Sequence, residues 1–112
     1  MKGLKRIPSV KEISEAYKKL FEYSNRANKG EYKLGYRSLV LYSQWIRFDP
    51  RLAEILATFL AGEWRNINPM KLNSILLKAP CPSVFGVLIE TAKLQVETKY
   101  ISMFNSWANL VM

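Results

Sequence analysis

Apolar residues recur along most of this chain at alternating three- and four-residue intervals, the period of helices with one face turned to a core. The first stretch follows Ser9-Val10-Lys11-Glu12. This spacing reads as a capping box, in which the Ser9 hydroxyl takes a free backbone N–H and Glu12 reaches back to the N–H of the cap. Val10, Ile13, Tyr17, Leu20 and Ser24 then form a stripe that Phe21 widens, and Asn28-Lys29-Gly30 reads as the stop. A second helix is expected from Lys33 to Phe48. Its apolar residues (Leu34, Leu39, Val40, Leu41, Tyr42, Trp45, Ile46) cover more than one face, which marks it as the central, most buried element. A strand over Ser38–Ile46 is the alternative, since Val, Tyr, Trp and Ile favour sheets, but no second convincing strand exists to pair with it.

Two further starts repeat one device. In Asp49-Pro50 and Asn68-Pro69 the first residue suits an N-cap, and the proline suits the first helical position, where its missing N–H costs nothing. The first pair opens a helix with a clean stripe of Leu52, Ile55, Leu56, Phe59, Leu60 and Trp64. The second opens a short helix with Leu72, Ile75, Leu76 and Ala79. Pro80-Cys81-Pro82 ends it. From Pro82 or Ser83 a last apolar seam runs through Phe85, Ile89, Ala92, Val96, Tyr100, Met103, Trp107 and Leu110. The expected fold is therefore all-α: one compact domain over 1–112, a bundle of about five helices with the fourth short, and residues 1–8 a basic N-terminal arm. The last helix raises a difficulty of length. About 28 helical residues span roughly 42 Å, whereas a domain of this size has a radius of gyration of about 13 Å. The helix must either break, near Gly86 or Thr98, or project from the body and need a partner.

Composition narrows the chemistry. There is no histidine, which removes the commonest general base and metal ligand, and Asp49 is the only aspartate. The single Cys81 cannot form an internal disulfide or a thiolate zinc cage. Flanked by prolines and without a histidine to activate it, it is a poor candidate nucleophile. No glycine-rich phosphate loop is present. No enzyme of the usual acid–base, nucleophilic or metal-dependent kind is expected, and no cofactor or metal. The basic start is not followed by an apolar signal core, and the longest apolar run, Val84–Ile89, is far below the ~20 residues of a spanning helix. A reducing, cytoplasmic setting and no membrane association are expected.

The net charge of +8 is uneven: residues 1–51 carry twelve Lys/Arg against five Asp/Glu, and residues 52–112 five against four. An acidic partner or nucleic acid would suit such a surface. Lys18, Lys19, Arg26, Lys33 and Arg37 are the candidate nucleic-acid contacts. Against this, Glu15 and Glu22 stand four residues from Lys11, Lys18, Lys19 and Arg26, the spacing of self-paired charges on a solvated face. Basic and aromatic residues also alternate through Tyr32, Lys33, Tyr36, Arg37, Tyr42, Trp45, Arg47, Phe48 and Arg51. That pattern is shared by single-strand binders, although Tyr42, Trp45 and Phe48 equally supply core bulk. A helix-turn-helix built on the Arg65–Asn68 turn would offer Lys71, Asn73, Ser74 and Lys78 to bases, but the turn lacks the small residue such motifs carry.

After Lys99 the chain has no charged side chain. Tyr100, Met103, Phe104, Trp107, Leu110 and Val111 are accordingly the expected protein interface, with a homodimer or a second protein as partner. The function expected from these features is non-catalytic: a small interaction or regulatory protein of the antitoxin, inhibitor or accessory-subunit kind. The alternative is a nucleic-acid-binding helical module using the basic N-terminal half.

Overall fold

The three capping signals all start helices in the computed structural model, which describes residues 7–24 and 34–112. α1 spans Val10–Ser24, and its capping box is formed: Glu12 N–H donates to Ser9 Oγ at 3.2 Å, and Ser9 N–H donates to Glu12 Oε1 at 3.0 Å. α2 spans Tyr36–Trp45, α3 Pro50–Glu63, α4 Pro69–Leu76, α5 Ser83–Lys93 and α6 Ile101–Val111. Short 3-10 turns at Trp64–Asn66 and Thr98–Tyr100 precede α4 and α6. Among the described residues there is no strand, so Ser38–Ile46 is not sheet. Asp49 caps α3 through Arg51 N–H at 3.0 Å. Asn68 caps α4 by accepting from Met70 and Lys71 N–H at 3.0 and 3.2 Å. The expected stop at Asn28-Lys29-Gly30 lies outside the described residues, as does most of the basic arm.

α2 is shorter than its sequence pattern. It begins after Gly35, whose φ of +93° is a left-handed backbone that glycine adopts without strain and that cannot belong to a helix. Its last turn closes at Trp45, where Phe48 and Asp49 N–H both donate to the Trp45 carbonyl. As expected, it is buried on more than one side: Leu39, Val40, Tyr42, Ser43, Gln44 and Trp45 are all inside. α2 packs on α3, α4 and α5, while α3 in turn lies between α1 and α5. The fully buried Gln44 joins α2 to the Pro80-Cys81-Pro82 connection. Its amide donates to the Cys81 carbonyl at 3.0 Å and accepts from Cys81 N–H at 2.9 Å, a two-point clamp that satisfies a polar group where water does not reach.

The last apolar seam is two helices, so the described residues form six. Past Lys93 the chain loosens: Leu94, Gln95 and Val96 N–H each donate only three residues back, to Thr91, Ala92 and Lys93. The break falls before Thr98, one of the two expected places, and Gly86 lies inside α5. An unbroken helix from Ser83 to Val111 would run roughly 43 Å, longer than the 38 Å long axis of the molecule. Instead α6 folds back onto α4 and touches α5. Trp107 packs against Trp64 (centroids 6.2 Å) and Phe104 (5.6 Å), and Trp64 meets the edge of Phe104 at 5.5 Å. Trp107 Nε1–H donates to the Ile67 carbonyl at 2.9 Å, and Asn73 Nδ2 donates to the Val111 carbonyl.

Two buried side-chain atoms among the described residues have no hydrogen-bond partner, Trp45 Nε1 and Glu63 Oε2. Glu63 is 3% exposed, and burial pushes its carboxyl pKa up, partly offset by a hydrogen bond from Asn66. A carboxyl with a raised folded pKa holds its proton more tightly folded than unfolded. Its favourable contribution is complete below the ordinary carboxyl range and is lost as pH rises through the raised value.

Two outcomes are expected. Glu63→Gln should raise the melting temperature at neutral pH, because it removes a buried charge and keeps the shape of the side chain, and gain little in acid, as read from thermal melts across pH. Trp107→Ala should destabilise the isolated monomer by about 3–5 kcal/mol in denaturant titration. A change confined to oligomeric state would instead assign Trp107 to an intermolecular contact.

Candidate functional site

The α2–α3 corner and the first half of α1 enclose an open cleft of about 480 Å³. One wall is α1: Val10, Ser14 and Tyr17 lie along one edge of the helix, at four- and three-residue spacing, with Ile13 beside them. Phe48, Asp49 and Arg51 form the other wall, and Ile7 and Pro8 close one end. The cleft exists because α1 buries only part of its apolar face. Ala16 and Leu20 are fully inside and Ile13 and Tyr17 half inside, packed against the core, whereas Val10 is 84% exposed and Phe21 68%. The apolar stripe read from the sequence is thus divided. Its inner edge meets α3 and its outer edge faces solvent.

One hydrogen bond holds the two walls together. Tyr17 Oη–H donates to Asp49 Oδ2, across 32 residues of sequence. Asp49 Oδ1 meanwhile accepts from Arg51 N–H as the α3 cap, so both carboxylate oxygens are engaged. Partial burial, then the Asp49 carboxylate, raise the Tyr17 pKa to about 12, against a smaller lowering by Arg51. A phenol so held is a weak acid and a poor nucleophile at neutral pH. Above the floor the charges are cationic. Arg47 lies over the Phe48 ring at 5.2 Å with Nε–H bonded to the Gln44 carbonyl, and Arg51 is exposed. Lys11 and Lys18, next in sequence to Val10 and Tyr17, are exposed as well.

Of the charge pairs expected on α1, those of Lys11, Lys18 and Lys19 are not closed, and that of Glu22 with Arg26 lies outside the described residues. Lys11, Lys18 and Lys19 hold no ion pair with Glu15 or Glu22 among the described residues. The intended partners are exposed, and solvated pairs of this kind gain little by closing. Of the candidate nucleic-acid contacts, Lys18, Lys19 and Arg37 are exposed on α1 and α2, and Arg26 and Lys33 lie outside the described residues. In the basic–aromatic run, Tyr42 and Trp45 are core and Phe48 is exposed at the cleft; Tyr32 lies outside the described residues. Tyr36 Oη accepts from Asn68 N–H, and Lys71 Nζ sits 5.0 Å from its ring. Lys71 and Ser74 on α4 and Lys78 just beyond its end are exposed. Asn73, the residue best suited to read adenine, is instead bonded to the end of α6, which packs along that helix.

The expected C-terminal interface is divided as well. Phe104, Trp107 and Val111 are buried in the chain's own core, a correction to their reading as exposed anchors. The physical reason is the break before Thr98, which lets α6 bury them against Trp64 and α4. Tyr100 is half-buried, its ring 4.6 Å from the Arg65 guanidinium carbon. Met103 and Leu110 alone of the six remain more than half exposed. Cys81 is half-buried with Sγ 3.6 Å from Ser83 Oγ. No group of three or more potential metal ligands occurs among the described residues, and none of their helices is long and apolar enough to cross a membrane.

Tyr17→Phe should cost about 1 kcal/mol, the scale of one half-buried hydrogen bond. It should also remove the tyrosine titrating near pH 12 from the alkaline absorbance titration. Loss of a tyrosine that titrates in the ordinary range instead would mean that the Tyr17–Asp49 bond does not persist in solution.

Comparison with known protein families, with curated proteins and with solved structures finds no match to this chain.

Proposed function

We propose that this chain acts by binding another protein rather than by catalysis, and that the cleft between α1 and the α2–α3 corner is the contact surface. One observation carries the reading: Val10 at 84%, Ile7 at 68% and Phe48 at 41% exposure gather large apolar side chains at the mouth of a concavity. A scattered exposed apolar residue needs no explanation, but a cluster around a cleft marks a surface that another molecule covers. The polar groups on the floor, Tyr17 and Asp49, are already bonded to each other and to the α3 cap. They shape the site without offering a free acid, base or nucleophile. An antitoxin, an inhibitor or an accessory subunit would all work in this way, through a preformed surface on a small helical scaffold.

The expected test uses a photo-crosslinking amino acid at Val10 and, in a second variant, at Leu110 on the exposed side of α6. In lysate of cells expressing the chain, the Val10 variant should give one discrete protein adduct. Nuclease should leave it intact, excess unmodified chain should compete it away, and the Leu110 variant should give none. An adduct only from Leu110 would move the contact to α6. Adducts that nuclease abolishes would favour nucleic acid on the Lys18, Lys19 and Arg37 surface.

A further inference from the structure

Resting on that reading of the cleft, we infer that its occupant is an amphipathic helix whose apolar face enters the cleft and whose flanks carry carboxylates. The shape comes from α1. Val10, Ser14, Tyr17 and Phe21 fall at positions separated by four, three and four residues, one straight line along the helix about 16 Å long. The first three line the cleft, and Phe21 continues the line in solvent at 68% exposure. Phe48 stands across from this line. A trough of about two helical turns from Val10 to Tyr17, with Phe48 on its other side and Phe21 extending the apolar line, takes a helix that presents anchors at the same spacing.

Charge selects the flanks. Lys11 and Lys18 border the α1 line, and Arg47 and Arg51 border Phe48 and Asp49 on the opposite wall. Lys11, Lys18 and Arg51 hold no ion pair among the described residues, so their charge is open to a partner. Glu15 and Glu22 stand one turn on from Lys11 and Lys18, a further step round α1 from the cleft, and are not among its lining residues. The single carboxylate inside the cleft is Asp49, on the floor. It disfavours an anion that enters deeply and leaves the cationic rim to receive anions from either side. That distribution fits carboxylates flanking an apolar face. It does not fit a phosphate chain, whose charge is continuous and which would cross Asp49. Stacking of bases is also hindered, because one face of Phe48 is already covered by Arg47.

The test is fluorescence anisotropy of labelled synthetic helices with the full-length chain at moderate salt. One peptide carries leucine on one face and glutamate along both flanks; a second has lysine for glutamate; a third has serine for leucine; duplex DNA is the fourth probe. The leucine–glutamate peptide should bind, gain helical circular dichroism on binding, and exceed each other probe by at least about tenfold, which is 1.4 kcal/mol. Val10→Glu and Arg51→Glu should each weaken it by about tenfold. Both side chains are exposed, and an acidic residue in the first turn favours α1 and α3 alike, so melting temperatures should hold. Equal binding of the lysine peptide, preference for the serine peptide or DNA, indifference to both variants, or no binding would each overturn the inference. If Val10 nevertheless crosslinks to a protein in lysate, protein binding at the cleft stands and only the acidic helical occupant is wrong.

Discussion

The return of α6 onto the body depends on one buried indole. Trp107 is placed by two kinds of force at once: its ring against Trp64 and Phe104, and its N–H on the Ile67 carbonyl. The first is large but tolerant of direction; the second is small but directional. Together they set both where α6 lies and how it is rotated. From that follow the opening of the chain between Lys93 and Thr98, the capping of the Val111 carbonyl by Asn73, and the covering of α4. Ile67 itself sits between the 3-10 turn at Trp64–Asn66 and the Asn68 cap. The same few residues therefore end α3, start α4 and receive α6.

At the other end, attachment is lighter, and that difference leaves the cleft open. α1 packs principally on α3. A helix with one main neighbour cannot bury an apolar face as wide as the one running from Ile13 and Leu20 to Val10 and Phe21. The remainder stays in water beside the α2–α3 corner. Asp49 makes that corner do two things, capping α3 with one oxygen and holding the Tyr17 hydroxyl with the other. The cleft is the angle left between two elements joined at that point. Its walls are fixed by bonds that are already satisfied, so the partner we propose would meet a preformed surface and little ordering would be required on binding.

The buried polar groups divide in the same manner. Gln44 has both ends of its amide bonded to Cys81 and ties α2 to a connection that has no helix of its own. Glu63 and Trp45 leave one atom each unbonded. Gln44 shows that the core accommodates a polar side chain when its geometry is complete, and Glu63 is destabilising in its charged form because its own is not.

Local signals in the sequence determined the helices and most of their starts. Ser9, Asp49-Pro50 and Asn68-Pro69 act through bonds spanning two to three residues, so nothing distant can displace them. Length alone showed that the last seam could not remain one straight helix inside so small a body. What sequence could not contain is which side of an apolar stripe meets a neighbour. Val10 and Ile13 belong to one stripe, and only the placement of α3 makes one exposed and the other packed. Trp107 and Leu110 belong to another, and only the fold-back onto Trp64 separates core from surface. The Tyr17–Asp49 bond joins residues 32 positions apart, and it could not be read before the packing of α1 was known. Capping is decided by neighbours in sequence and burial by neighbours in space, and the cleft is made entirely of the second kind.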